Sequence, residues 1–303
     1  MVERRFRKAK VAGSSPTRGS TPTVLQIGTD EAGYGPLLGP LVIAATAFES
    51  GGPRGALRDR AVLDSKVLYA RGGRAALARA LEPYLGLPGP VTLATALAHL
   101  STRGDPRAAY PWYGDVTDPI PRPRPPPPAF RRLYVSPFCE RDFNEGCARE
   151  GGKGALLSRE TLRLVRRVLL DHPGGAARVV CDRHGGRKRY AALLMEEFFP
   201  SLLVTERETP ELSAYRLHAH GREIAIEFRC RAESTDPPVA LASVAAKYLR
   251  ELFMQALNDY FSARIASLRP TAGYHGDGQR FLLDVAPALR ELPGGAHLLS
   301  RTH

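Results

Sequence analysis

The 303 residues carry 43 Lys+Arg against 31 Asp+Glu, a formal net charge of +12. With 43% hydrophobic and 24% charged residues, the composition is that of an ordinary soluble chain with enough apolar material for a core. No apolar run approaches the ~18 residues of a membrane span, and the N-terminus lacks the apolar stretch of a signal peptide. The four cysteines form no C-x-x-C pair, so they read as reduced thiols of a cytoplasmic protein rather than a disulfide frame or zinc site. The positive balance suits a protein that handles a polyanion, and equally a solvated arginine-rich surface.

Residues 1–22, with six basic side chains and one acid among Ser, Thr, Gly and Pro, read as a flexible arm, either a tether to nucleic acid or a solvated tail. "TVLQIGTD" then predicts a strand, and "PLVIAATAF" a second one buried on both faces. The glycine-rich "EAGYGPLLG" between them predicts a turn, making the two strands antiparallel neighbours. Residues 73–100 predict a helix and a short strand. From 101 to about 130 there is neither period, and seven of residues 119–128 are proline, which predicts a stiff excursion from the surface of one catalytic domain spanning 23–303.

"RRLYVSPF" predicts a third strand. Residues 154–171 predict a helix with Leu157, Leu164, Val165 and Val168 inward. "ARVVCD" is a short buried strand, "KRYAALLMEEFF" a helix and "LLVTE" a strand. "EIAIEFRCRAE" alternates at Ile224, Ile226, Phe228 and Cys230. Asp236-Pro237 reads as an N-cap and first position of a long helix. Three early strands followed by αβ units give an α/β fold, a mixed central β-sheet with helices on its faces.

Asp30 ends the first predicted strand with Glu31 beside it, Asp182 ends another, and Glu233 closely follows a third. If those strands are neighbours, four carboxylates converge on one patch. Their repulsion is relieved by hard divalent cations, which favour carboxylate oxygen and can activate water against a phosphodiester.

"GTDEAGYGPLLGPLVIAA" resembles the opening motif of the ribonuclease HII family. "LDSKVL", "VVCDRHGG", "AESTDPPVALASVAAKYLRE" and "AGYHGDGQRFL" are similar to its later elements, in the family's order. The resemblance implies an RNase H-like fold and endonucleolytic cleavage of RNA, or of single ribonucleotides, within RNA–DNA hybrid or duplex DNA. It assigns two Mg²⁺ or Mn²⁺ ions to Asp30, Glu31, Asp182 and Glu233. Substrate contacts fall to Gly33, Tyr34 and Gly35 in the turn, to Ser65 and Lys66, to Ser243, Lys247 and Arg250 on one helix face, and to Tyr274. The chain departs from the family pattern at Tyr34, in place of arginine, and at Glu233 and Glu251, each in place of aspartate. A monomer bound to nucleic acid and no membrane is expected. The alternatives are another RNase H-fold nuclease and a catalytically silent binder of RNA–DNA hybrids.

Overall fold

The computed structural model describes residues 23–49, 64–87, 90–118, 125–292 and 298–302; the basic arm and part of the proline run (119–124) lie outside them. β1 (Val24–Ala32) and β2 (Leu41–Glu49) are the predicted antiparallel pair, with Asp30 opposite Ala44. β5 (Phe130–Phe138) pairs antiparallel with β2 on its other side. β6 (Ala176–Asp182) lies parallel to β1, and β9 (Arg222–Arg229) parallel to β6. β8 (Leu212–Ala219) and β7 (Leu202–Glu208) complete a seven-stranded mixed sheet in the order β5-β2-β1-β6-β9-β8-β7.

Helices cover both faces. On one side lie α1 (Ser65–Leu85), α2 (Leu93–Leu100), the long α6 (Pro237–Ser262) and α7 (His275–Arg290). On the other, α4 (Lys153–Asp171) and α5 (Ala191–Phe198) share a second apolar cluster with the opposite sheet face. All four predicted inward residues of α4 are buried, as are Leu241, Val244, Tyr248 and Leu252 of α6. Gly28 lets α6 lie directly on β1, because a Cβ there would collide with the Pro238–Val239 backbone.

Several expectations need correction. The first helix starts at Ser65, with Asp64 as N-cap, and kinks at Gly72-Gly73; the expected short strand is Val91–Thr92, and residues 93–100 form a further helix where none is predicted. α3 (Glu140–Glu150) carries no apolar stripe, burying only Phe143, Gly146 and Glu140, so periodicity gives no sign of it. β8 is interior to the sheet and buries consecutive residues, which hides its alternation. Cys230 lies past the end of β9 and is exposed. The 101–130 segment is no simple excursion. A 3₁₀ turn (Pro106–Ala109) leads into Tyr110, Trp112 and Tyr113, all buried in the α6 cluster, and β4 (Thr117–Asp118) pairs with β3 (Val91–Thr92). Trp112 and Tyr113 pack against Phe261 and Phe253 of α6, with ring centroids 6.0 and 4.9 Å apart. Aromatic burial, which leaves no periodic signature in so short a stretch, anchors the segment.

Candidate active site

β1, β6 and β9 are adjacent and mutually parallel, so their C-terminal ends open on one edge of the sheet. Asp30 and Glu31 stand near the end of β1, which runs on to Ala32, and Asp182 is the last residue of β6. Glu233 lies in a 3₁₀ turn (Ala232–Ser234) between β9 and α6. All four line one cavity of about 310 Å³, together with Gly33, Ser65, Lys66, Ser243, Lys247, Arg250 and Tyr274. Chain segments more than 200 residues apart are thus brought to one place by strand order.

The carboxylates disturb one another. Burial and then the Asp182 charge push Asp30 up to about 7, against hydrogen bonding from Ser243 and the Glu31 amide. Burial, followed by Asp30, holds Glu31 well above the usual carboxylate range. Asp182 is pushed up to about 6 by burial and by Glu233, even though its Oδ1 accepts from the Ala232 amide at 2.8 Å. Glu233 Oε2 is buried without a hydrogen-bond partner. Desolvation and like charge both disfavour ionised carboxylates, so four of them on one cavity is an arrangement that a bound cation would relieve. Among the described residues no three His, Cys, Asp or Glu side chains are gathered closely enough to enclose one ion; the acids flank the cavity.

The predicted substrate contacts divide. Lys66 is exposed at the cavity, and no acidic side chain pairs with it among the described residues. Asp64, unremarked in the sequence, caps α1 by accepting from the Lys66 and Val67 amides at 2.9 Å, which fixes the first turn that carries Ser65 and Lys66. Lys247 is paired with Glu251 at 2.5 Å and lies 4.4 Å from the Tyr69 ring centroid. The Ser65 and Ser243 hydroxyls are buried and 3.1 Å apart. Tyr274 is 60% exposed at the rim.

Arg250 corrects an expectation. It borders the cavity, but it is only 4% exposed and its donors point inward: Nη1 to Pro40 O at 2.8 Å, Nη2 to Leu38 O at 3.1 Å and Ala272 O at 3.2 Å. It holds the glycine turn rather than offering a guanidinium to a ligand. Gly33 serves the same packing. Its φ of +88°, and the collision that any Cβ there would make with Pro40 O, explain the glycine without reference to a ligand. Gly35, by contrast, has open space where a Cβ would stand, and it is not on the cavity wall. Tyr34 lines a neighbouring groove rather than the acid cavity, although burial and then the Glu31 charge raise its hydroxyl.

Beneath the turn lie charges with no signal in the sequence. Glu140 Oε1 accepts from the Gly39 amide at 2.9 Å and from Tyr113 Oη at 2.6 Å. Arg301, 1% exposed, donates to Gly33 O at 2.7 Å and lies 4.6 Å over the Phe143 ring. Single residues of α3 and of the C-terminal stretch have no spacing that marks them.

Residues 27–102 match the family model described as Ribonuclease HII. Among solved structures, the ribonuclease H2 of Pyrococcus horikoshii OT3 is 17% identical, with a TM-score of 0.51 over 91% of this chain and 92% of that one. The RNase HII of Archaeoglobus fulgidus, solved as a complex with PCNA, is 19% identical, with a TM-score of 0.50 over 92% and 95%. A search of curated proteins finds no match. The family match covers the two adjacent acids and the turn but only residues 27–102, while the architecture agrees over nearly the whole chain, so the chain has an RNase H-like fold and carries a stretch similar to the ribonuclease HII family.

Proposed function

We propose that the protein is a divalent-metal-dependent endoribonuclease that cleaves RNA, or single ribonucleotides, within RNA–DNA hybrid or duplex DNA. One observation carries this reading: four carboxylates from three strand ends line a single cavity with Lys66 at its border. The raised proton affinities of Asp30, Glu31 and Asp182 and the unpartnered Glu233 Oε2 suit a donor set for hard cations. Mg²⁺ or Mn²⁺, when bound there, would supply an activated water and charge stabilisation at the leaving oxygen.

The chain's own residues supply the rest. Asp30, Glu31, Asp182 and Glu233 would hold the ions, and Ser243 would keep the Asp30 carboxylate oriented through its hydrogen bond. Lys66, aimed by the Asp64 cap, offers its ammonium to a backbone phosphate, and Lys247 does so once Glu251 yields it. Tyr274 presents an exposed ring at the rim for stacking on a sugar or base. The catalytic unit is a single domain over residues 23–303, acting as a monomer.

The test is incubation of the purified chain with labelled duplex DNA containing one ribonucleotide, and with a continuous RNA–DNA hybrid, each with Mg²⁺ and with Mn²⁺. Metal-dependent cuts at the ribonucleotide are expected, and chelation should abolish them. Tight hybrid binding with no cleavage in either metal would favour a silent binder instead.

A further inference from the structure

We propose that the groove on the Tyr34 side of the glycine turn is a second phosphate-binding surface, along which the backbone of bound nucleic acid continues beyond the acid cavity. This rests on the nuclease reading for its ligand class, since a polyanion that enters the acid cavity must leave across one of its borders.

The groove, about 790 Å³, has Gly151, Gly152 and Gly154 on one wall and the 184–189 loop on the other, with Tyr34 between them. No acidic side chain lines it, whereas Arg187, Lys188 and Arg189 stand in succession along one wall. Arg189 has Glu208 at 3.7 Å, but among the described residues Arg187 and Lys188 have no acidic partner. The Lys153 ammonium, just behind the facing wall, lies 5.1 Å from the centroid of the Tyr34 ring that lines the groove. Elsewhere on this chain arginines are extensively paired, as Arg159, Arg163, Arg216 and Arg280 are. Cations without an acidic partner occur elsewhere, Lys66 among them; what marks the trough is that two adjacent ones stand on a wall lined by no acid.

The glycines point the same way. A Cβ on Gly151, Gly152, Gly185 or Gly186 would meet nothing within 4 Å, so the space in front of these residues is left open to solvent rather than filled by the protein. α4 begins at this wall with Gly152 as its N-cap, makes no side-chain cap hydrogen bond and has no acid in its first turn. A helix start without a side-chain cap or an acid, set beside lysine and arginine, favours phosphate oxygens, and an open trough suits a polymer backbone better than an enclosed small ligand. The trough and the cavity share a divider. Glu31 belongs to the cavity, and Tyr34, three residues on, belongs to the trough, so a strand crossing the turn would touch both.

The test uses the full chain carrying Asp30→Asn, so that binding is read without cleavage. Affinity for duplex DNA containing one ribonucleotide is measured across a salt series. Arg187→Ala with Lys188→Ala should make the dependence of log K on log salt shallower by about two phosphates' worth, a slope change of roughly 1.8. Tyr34→Arg should steepen it by about one. In the otherwise unmodified enzyme the double variant should raise KM and leave kcat at saturation in place. An unchanged slope in both folded variants would overturn the proposal, as would a fall in kcat with no change in slope. If the unmodified chain cleaves nothing, the nuclease reading fails, while the slope comparison still tests the groove.

Discussion

The acid cavity and the polar nest beneath the turn are neighbours that both bury charge, and they are built on opposite rules. In the nest both signs are present: Arg250 and Arg301 donate to backbone carbonyls, and Glu140 nearby offsets part of what burial and the Arg250–Arg301 repulsion cost. In the cavity burial first, and neighbouring carboxylates after it, raise Asp30, Glu31 and Asp182, and the bordering arginine turns its donors away. Buried cations bonded to backbone carbonyls, with a carboxylate close by, brace a turn, even with Arg301 Nε and Nη2 and Glu140 Oε2 left without a hydrogen-bond partner. Like charges left facing one another store a repulsion that only an added cation or protons can relieve. The contrast separates what holds the site from what the site is for.

Asp30→Asn puts the cavity's side of this contrast under the greatest stress. It keeps shape but removes a charge needed for a hard cation, so cleavage should fall by orders of magnitude while nucleic-acid binding persists. Near-normal metal-dependent cleavage by the purified variant would show that the cavity does not work through Asp30.

Next in size is the nest. Arg250→Ala leaves the carbonyls of Leu38, Pro40 and Ala272 without their donor and, at roughly 1–3 kcal/mol per unsatisfied buried group, should cost about 3–5 kcal/mol, read by chemical denaturation. Arg301→Ala, losing one carbonyl contact and a ring contact, should cost less. A loss under about 1 kcal/mol for Arg250→Ala would mean that the turn is held by its own glycines and prolines instead.

A smaller effect concerns pH. The Asp30 and Asp182 carboxyls are raised from 3.8 to about 7 and about 6, so the metal-free folded chain retains protons that the unfolded chain has lost. Their contribution to stability is complete below about pH 4 and is lost as pH rises toward 7, by a few kcal/mol at ~1.4 kcal/mol per pH unit for each proton retained. Melting temperature followed over that range, with and without Mg²⁺, should show the loss and its recovery by metal. Asp30→Asn should remove a large part of it; identical pH profiles for the two proteins would contradict the raised carboxyl.

The sequence was most informative where physics acts locally. Alternation and β-branching marked β1, β2, β6 and β9, and the apolar stripe marked α4, because each buries a face that the chain itself spells out. The strand-end positions of Asp30, Asp182 and Glu233 were legible for the same reason, and the ribonuclease HII motifs joined them into one candidate site. Other features were settled by packing between distant segments. α3 hides its single buried Phe143 in a polar run, and Trp112 turns an apparent excursion into an anchor by meeting Phe261. Arg250 shares a helix face with Ser243 and Lys247, so helical spacing makes it a candidate ligand. Only the carbonyls of Leu38, Pro40 and Ala272, brought over it by the turn and by the approach to α7, decide that its donors point inward. Periodicity records which side of an element is buried; it does not record what a buried side chain will meet, and in a low-dielectric interior that partner decides whether a charge binds a ligand or braces a loop.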